Sequence, residues 1–315
     1  MNKRAFRTED VFMPNKLVSS DFFERESVLA AILLTPALLI VLGVLIFPMV
    51  TSLGLSFTDL KLTKPGSGIF IGLKNYITAL KAPLFWASML RTTIFGVSTV
   101  LTETCLGVAI AMLLNQKFVG RGFVRGLVIL PWALPYVVNG IMWKWIFDAN
   151  YGAFNAALTQ LGLIDTYKIW LGNPKAAMVI VICANIWKET PVAVILILAA
   201  LQSIPAELYE AAAIDGARGM KRFSRITLPL LKPIIMTLII IKTVWALKEF
   251  DLIYIITKGG PANGTNMFSY YIYQNTFQFL NFGYGSALAY LLTILTIGLS
   301  MLYMKSLKGG LDVEG

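Results

Sequence analysis

Six stretches of this chain are each long and apolar enough to cross a lipid bilayer. A span needs about 20 mostly apolar residues. Such runs fall at residues 28–50, 89–114, 123–147, 176–201, 228–256 and 284–303. The third and fifth are the least regular, because they carry Pro131, Pro135, Lys144, Lys242, Lys248 and Glu249. The first exceeds the ~7–15 residues of a signal-peptide core and follows a long polar tail of mixed charge, so it reads as a span. The expected fold is all-α: a polytopic membrane protein of about six transmembrane helices with a cytoplasmic helical connection.

Composition agrees. Of 315 residues, 57% are hydrophobic and 14% charged, against ~45–50% and ~25% in soluble domains. This excludes a disordered chain, a nucleic-acid-binding tail and most soluble enzymes. The net charge of +10 lies between the apolar runs, where it orients the chain, and implies no nucleic-acid partner. There is no histidine, which removes histidine-based metal sites, general bases and pH switches. Cys105 and Cys183, both inside apolar runs, read as small packing residues.

Lys and Arg counts set the expected orientation. One set of connections holds Lys3, Arg4, Arg7, Lys16 and Arg25, then Lys117, Arg121 and Arg125, then Arg218, Lys221, Arg222 and Arg225, then Lys305 and Lys308. The other holds Lys61, Lys64, Lys74, Lys81, Lys168, Lys175 and Lys258. The first set is about twice as basic and should face the cytoplasm, with both termini inside. The expected organisation is a cytoplasmic tail over 1–27, a membrane domain over 28–306 and a cytoplasmic tail over 307–315.

The connection over 203–229 reads as a helix, a break and a second helix. Ser203 can cap the first helix, with Pro205 near its first turn. Glu207 and Glu210 sit early, where the helix dipole favours acids. An Ala run supports helix, and Gly216 permits a sharp turn. A basic stretch then leads into a span opening with Pro229.

Glu210-Ala211-Ala212, three residues, Gly216, nine residues, then Ile226-Thr227-Leu228-Pro229 resembles the EAA loop of ABC importer permeases. The resemblance implies that Glu210, Ala211, Ala212, Asp215, Gly216 and Ala217 form a coupling helix and turn. That helix would dock in a cleft of an ATP-hydrolysing subunit. Gly72-Leu73-Lys74-Asn75-Tyr76, Gly259-Gly260-Pro261, Tyr270-Tyr271-Ile272-Tyr273 and Phe282-Gly283-Tyr284-Gly285-Ser286-Ala287 are similar to segments of the carbohydrate branch, which includes the maltose and glycerol-phosphate systems. Arg91 departs from that pattern, in which Asn more often precedes the Thr.

The resemblance implies a bacterial inner-membrane subunit without catalysis of its own. Its partners would be a second permease, expected to be a different homologous chain, two ATPase subunits binding ATP and Mg, and an extracytoplasmic solute-binding protein, all within membrane lipid. The chain carries no Gly-x-x-x-x-Gly-Lys-Ser/Thr loop, no metal cluster and no nucleophile–base pair, so energy must come from elsewhere. Solute would move by alternating access coupled to the ATPases. An ion-gradient-driven secondary transporter is the alternative; it would explain buried Glu and Lys but not the complete EAA pattern. A membrane scaffold that anchors a soluble enzyme would carry no flux.

Ionisable residues in spans usually face a wet cavity or a partner. Lys188-Glu189-Thr190-Pro191 is mid-span, where Pro191 loosens the helix, and reads as pathway lining. Trp132, Tyr136, Asn139 and Trp143 follow helical spacing in the third span. The expected pathway residues are Asn139, Trp143, Asn185, Lys188, Glu189, Lys248, Glu249 and Tyr254, since sugars bind through hydroxyl hydrogen bonds and aromatic faces. Lys144, Lys242 and Asp251 are as readily snorkelling residues near span ends. Lysines outnumber acids in the third to fifth spans, and a desolvated cation needs an anion. An acidic oligosaccharide or sugar phosphate is therefore one cargo hypothesis. A neutral sugar stays open if internal pairs such as Lys188 with Glu103 balance the charge.

Overall fold

The computed structural model describes residues 26–311. Hydrocarbon offers no water to satisfy backbone N–H and C=O groups, so spanning segments close their hydrogen bonds internally as helices. Among the described residues the one extended pairing is an isolated antiparallel bridge between Thr58 and Phe70. The chain divides after Gly54 into two compact units. The first is, among the described residues, the greater part of α1 (Leu29–Ser56), a membrane-length helix with a π-helical turn at Val41–Ile46.

The second unit holds α2 (Lys74–Lys81), α3 (Pro83–Asn115), α4 (Arg121–Ala133), α5 (Tyr136–Ile146), α6 (Ala153–Gln160) and α7 (Pro174–Ser203). It continues with α8 (Ala206–Ile214), α9 (Met220–Leu247), α10 (Phe268–Tyr273) and α11 (Phe282–Leu311). Helices α1, α3, α7, α9 and α11 are each long and apolar enough to span alone. The pair α4 and α5 is long and apolar enough for a sixth only when taken together, as a broken span or a re-entrant loop bent by 94° at its break.

Helices α3 and α7 approach closely because small residues meet between them. A Cβ added at Gly107 would lie 2.6 Å from the Cβ of Ala193, the small-residue contact that membrane helices favour. Near the α7–α9 connection, Ala111 and Leu114 of α3 and Ile197 and Leu201 of α7 pack with Leu231 and Leu238 of α9. Midway, Phe95, Val181, Ala184 and Ala246 form a second cluster. At the opposite end Phe85, Phe268, Tyr271 and Leu288 form a third.

Several expectations change. The third span is not one helix. The chain is extended at Leu134 and Pro135, since proline removes a donor and disfavours helix in the residue before it. Trp132 therefore leaves the helical register of Tyr136, Asn139 and Trp143. The fifth span begins at Met220 and ends at Leu247 instead of running 228–256, so Pro229 lies within α9. Beyond the break, the Glu249 carboxylate accepts the Leu252 N–H at 2.9 Å, which caps a new helical segment ending in a π turn at Ile253–Thr257.

Ser203 does not cap α8. It is the last residue of α7, and its hydroxyl donates back to the Ala200 carbonyl at 2.8 Å, a local bond open to serine in any helix turn. Cys105 and Cys183 face outward rather than packing within the chain. The inward faces of their helices are taken by Glu103, Thr104 and Gly107, and by Val181, Ala184 and Asn185. The expected tails at 1–27 and 307–315 lie outside the described residues, apart from helical backbone at 26–27 and 307–311.

Candidate functional site

Two assemblies of functional groups emerge, at different positions along the spans. The first is built from the middle of α7, where Lys188 and Glu189 are both buried. The Lys188 ammonium donates to the carbonyl oxygens of Trp132 at 3.1 Å and Leu134 at 2.7 Å, and lies 4.5 Å from the centre of the Tyr136 ring. These carbonyls belong to the C-terminal end of α4, where orphan acceptors attract a cation.

Glu189 faces the other way. Its carboxylate accepts from the Tyr136 hydroxyl at 2.7 Å and from the Lys242 ammonium at 2.8 Å. Lys242 also reaches Glu103 at 3.1 Å and the Glu189 carbonyl at 2.8 Å. Asn185 donates to Glu103 at 2.9 Å. Lys242 is thus no snorkelling residue but the centre of a buried triad. The suggested Lys188–Glu103 pair is replaced by Lys242–Glu103, because Lys188 is committed to the α4 carbonyls. Buried ions need this degree of pairing.

Beside the triad opens a pocket of about 340 Å³ walled by Trp132, Tyr136, Trp245 and Phe250, with Lys188, Glu189, Lys248, Glu249 and Asp251 at its polar positions. Of the expected pathway residues, the structure brings Lys188, Glu189, Lys248 and Glu249 together here. Among the described residues, the side chains of Lys248 and Asp251 have no ionic or hydrogen-bonding partner. Asn185 belongs to the sealed triad instead. Asn139 is buried and donates to the Ala184 carbonyl at 3.2 Å, joining α5 to α7. Trp143 stacks on Phe147 with centroids 5.9 Å apart. Tyr254 joins an aromatic group with Phe250, Tyr270 and Tyr273. Lys144 is exposed and outside the pocket. Sequence reasoning weighed Trp245 as a stacking candidate but missed Phe250 as a wall, although its place beside Lys248 and Glu249 was the available signal.

The second assembly is the α7–α9 connection. Helix α8 ends as a Schellman motif: the Ala217 N–H donates to the Ala212 carbonyl at 2.8 Å and the Gly216 N–H to that of Ala213 at 3.2 Å. Gly216 takes φ +73°, which residues with a Cβ rarely adopt. Ala212 is buried, whereas Glu210, Ala211, Asp215 and Gly216 are exposed and Ala217 is half-buried. The Tyr209 hydroxyl lies 3.3 Å from Thr227 Oγ1, and the Arg222 guanidinium sits over the Tyr209 ring at 5.4 Å. The loop is thereby seated on α9 with one face of α8 outward.

The remaining sequence motifs are brought into contact as staples. Asn75 donates to the carbonyls of Ser56 and Thr58 at 2.9 and 2.8 Å, and Tyr76 meets Ser56 at 2.7 Å. Gly283 lets its backbone press on the Thr58 carbonyl, where a Cβ would collide, and its N–H donates to Leu60 at 3.0 Å. A Cβ at Gly259 would lie 2.7 Å from the Tyr270 ring. Asp59 accepts the Gly68 and Ile69 N–H groups at 2.8 and 2.9 Å. Those bonds, helped by Lys64 at 3.6 Å, hold its carboxyl below the ordinary value. Arg91 is half-buried, and its Nη1 has no partner among the described residues.

A helical membrane bundle with a polar pocket between its spans, and an exposed capped helix on the connection from α7 to α9, has the construction of a solute permease. The chain belongs to the family of binding-protein-dependent transport system inner membrane components, whose model matches residues 103–307. It is 38% identical over 293 residues, covering 93% of this chain and 98% of the other, to the trehalose/maltose transport system permease protein MalF of Thermococcus litoralis. It is 37% identical over 283 residues, 90% and 91% of the two chains, to the sulfoquinovosyl glycerol transport system permease protein SmoG of Agrobacterium fabrum. Its fold is similar to a chain in a bacterial ABC transporter involved in import of the acidic polysaccharide alginate (TM-score 0.79, 25% identity, 91% and 96% covered). A second structure of the alginate transporter, in complex with an alginate pentasaccharide-bound periplasmic protein, matches with TM-score 0.78 and 25% identity over 89% and 94%. Membership makes the chain an integral inner-membrane component.

Proposed function

We propose that this chain is one of two permease subunits in an ATP-driven saccharide importer, paired with a different homologous permease. Two ATPase subunits bind ATP and Mg, grip the outward face of α8 through Glu210, Ala211, Asp215, Gly216 and the half-buried Ala217, while the buried Ala212 seats that helix on its own chain, and transmit closure to α7 and α9. An extracytoplasmic binding protein delivers the cargo, and both termini lie in the cytoplasm. Supporting this reading are the named relatives and the alginate transporter's complex with a periplasmic protein.

The observation that carries the reading is connectivity: α7 and α9 contribute Lys188, Glu189 and Trp245 to the pocket and are joined by the capped α8. A push on α8 is delivered to two of the helices that line the pocket. The pocket walls offer aromatic faces for sugar rings, while Lys248 and Asp251 offer an uncommitted cation and anion. An acidic oligosaccharide is the favoured cargo. Lys248 is available to its carboxylate, and the similar transporter imports acidic alginate. The ion-gradient alternative finds no support among the relatives, and two of the buried acids it drew on, Glu103 and Glu189, are paired with Lys242.

The test is uptake by the reconstituted complex with its binding protein. ATP depletion should abolish flux and a protonophore should spare it. Unlabelled acidic oligosaccharide should compete better than neutral oligosaccharide of equal length. Protonophore-sensitive, ATP-independent uptake refutes the mechanism; better competition by the neutral sugar refutes the cargo charge alone.

A further inference from the structure

A second cavity, of about 570 Å³, lies beside the coupling loop and away from the translocation pocket. It sits at the ends of spans: Asn115 closes α3, Leu201 is in the last turn of α7, and Met220 opens α9. That places it at the edge of the hydrocarbon. Its lining is amphipathic. Met112, Leu201 and Phe223 give an apolar wall, Asn115 and Gln116 give amides, and Arg222 gives a cation. No acid lines it. Among the described residues, Arg222 has no carboxylate partner, only the Tyr209 ring. Lys117, Arg121, Arg218, Lys221 and Arg225 flank these segments in sequence and outnumber the flanking acids Glu207, Glu210 and Asp215.

We propose that this cavity binds the headgroup of an anionic phospholipid, its phosphate held by Arg222, Asn115 and Gln116 and its first methylenes against Met112, Leu201 and Phe223. A basic pocket between membrane helices at the interface attracts such headgroups, each nearby cation adding about 1 kcal/mol. The apolar wall decides between lipid and a soluble anion, because a free phosphate ester gains nothing from it. Volume fits, as ligand sites span about 300–1,000 Å³. A bound lipid would wedge between the α3 end and the α8–α9 turn, and so stiffen the seat of the coupling helix. The inference holds whatever the cargo.

The test uses the complete complex in nanodiscs of phosphatidylcholine with phosphatidylglycerol, read by native mass spectrometry after release into detergent. Wild type should retain phosphatidylglycerol in preference to phosphatidylcholine. Arg222→Gln should retain it roughly fivefold less well, and Arg222→Lys should recover most of the difference. Added glycerol phosphate should not displace it. Equal retention by wild type and Arg222→Gln overturns the proposal, as does displacement by glycerol phosphate. So does retention by the permease pair that vanishes once the ATPase subunits are bound. Arg222→Gln complexes are scored only where they elute intact, and Asn115→Leu serves as a second variant with the same expected loss.

Discussion

Lys188 on α7 closes the open end of α4 by donating to the Leu134 carbonyl, so the break in the third crossing is held by a side chain from a different helix. That bond makes the bend a property of two helices together. Replacing Lys188 with Met should leave the Leu134 and Trp132 carbonyls without their donor. A hydrogen bond to a charged group contributes about 1.5–3 kcal/mol, and because these two are only part-buried the loss should lie at the low end. Thermal unfolding of the purified complex should fall accordingly, with transport lost, and Lys188→Arg should restore part of both. An unchanged melting point in Lys188→Met would show the carbonyls to be satisfied otherwise.

The triad makes an asymmetric prediction. Lys242→Met leaves Glu103 and Glu189 facing each other without their shared cation, a loss of about 3–5 kcal/mol. The triple change Glu103→Gln, Glu189→Gln, Lys242→Met removes all the charge at once and should be less destabilising than Lys242→Met alone. Denaturation of the single and triple variants checks the order; a triple variant weaker than the single would sink the argument.

At the turn, Gly216→Val meets no steric obstacle, since a Cβ there has nothing within 4 Å. Within this chain the penalty is backbone strain, about 1–2 kcal/mol for a left-handed residue, and Gly216→Asn should be milder because Asn visits that region more readily. Solute-stimulated ATPase activity of the complex should drop for Val and largely persist for Asn. Normal stimulation with Val would refute the strain account.

Glu210 is exposed at the centre of the outward face of α8 and is suited to a charged hydrogen bond with a basic residue on an ATPase. Glu210→Lys should reduce co-purification of the ATPase subunits by at least the roughly tenfold expected for losing a charged hydrogen bond, while membrane insertion is unaffected. A fully assembled Glu210→Lys complex would remove Glu210 from the docking face.

Asp59 supplies a pH dependence outside the membrane. Its carboxyl is held below the ordinary 3.8, chiefly by the Gly68 and Ile69 N–H groups. A lowered folded value means the loop's stabilisation is complete above 3.8 and is lost as pH falls through the lower value. Exchange protection at Gly68 and Ile69, taken relative to the intrinsic rate at each pH, should hold at about pH 5 and be lost only in stronger acid. In Asp59→Ala, which has no side-chain acceptor, that protection should be absent throughout.

Hydropathy is local, so most spans were readable along the chain, and the EAA spacing located α8 and its Gly216 turn. What stayed hidden depended on partners distant in sequence. The apolar Ile253, Ile255 and Ile256 extended the fifth run past Leu247, and only the capping bond from Glu249 reveals the interruption. Pro131 and Pro135 marked trouble in the third run, but that Lys188, expected in the pathway, also bonds the carbonyls at the bend depends on a helix distant in sequence. Glu103 and Lys242 stand on different spans, and charge counting alone could not choose between Lys188 and Lys242 as the partner of Glu103.

The ion triad also constrains how such a chain can drift over generations. Exchange of Lys242 alone strands two carboxylates, whereas exchange of all three members is tolerated far better. Intermediates on the way are therefore the least fit, and lineages should hold the trio intact or lack it altogether.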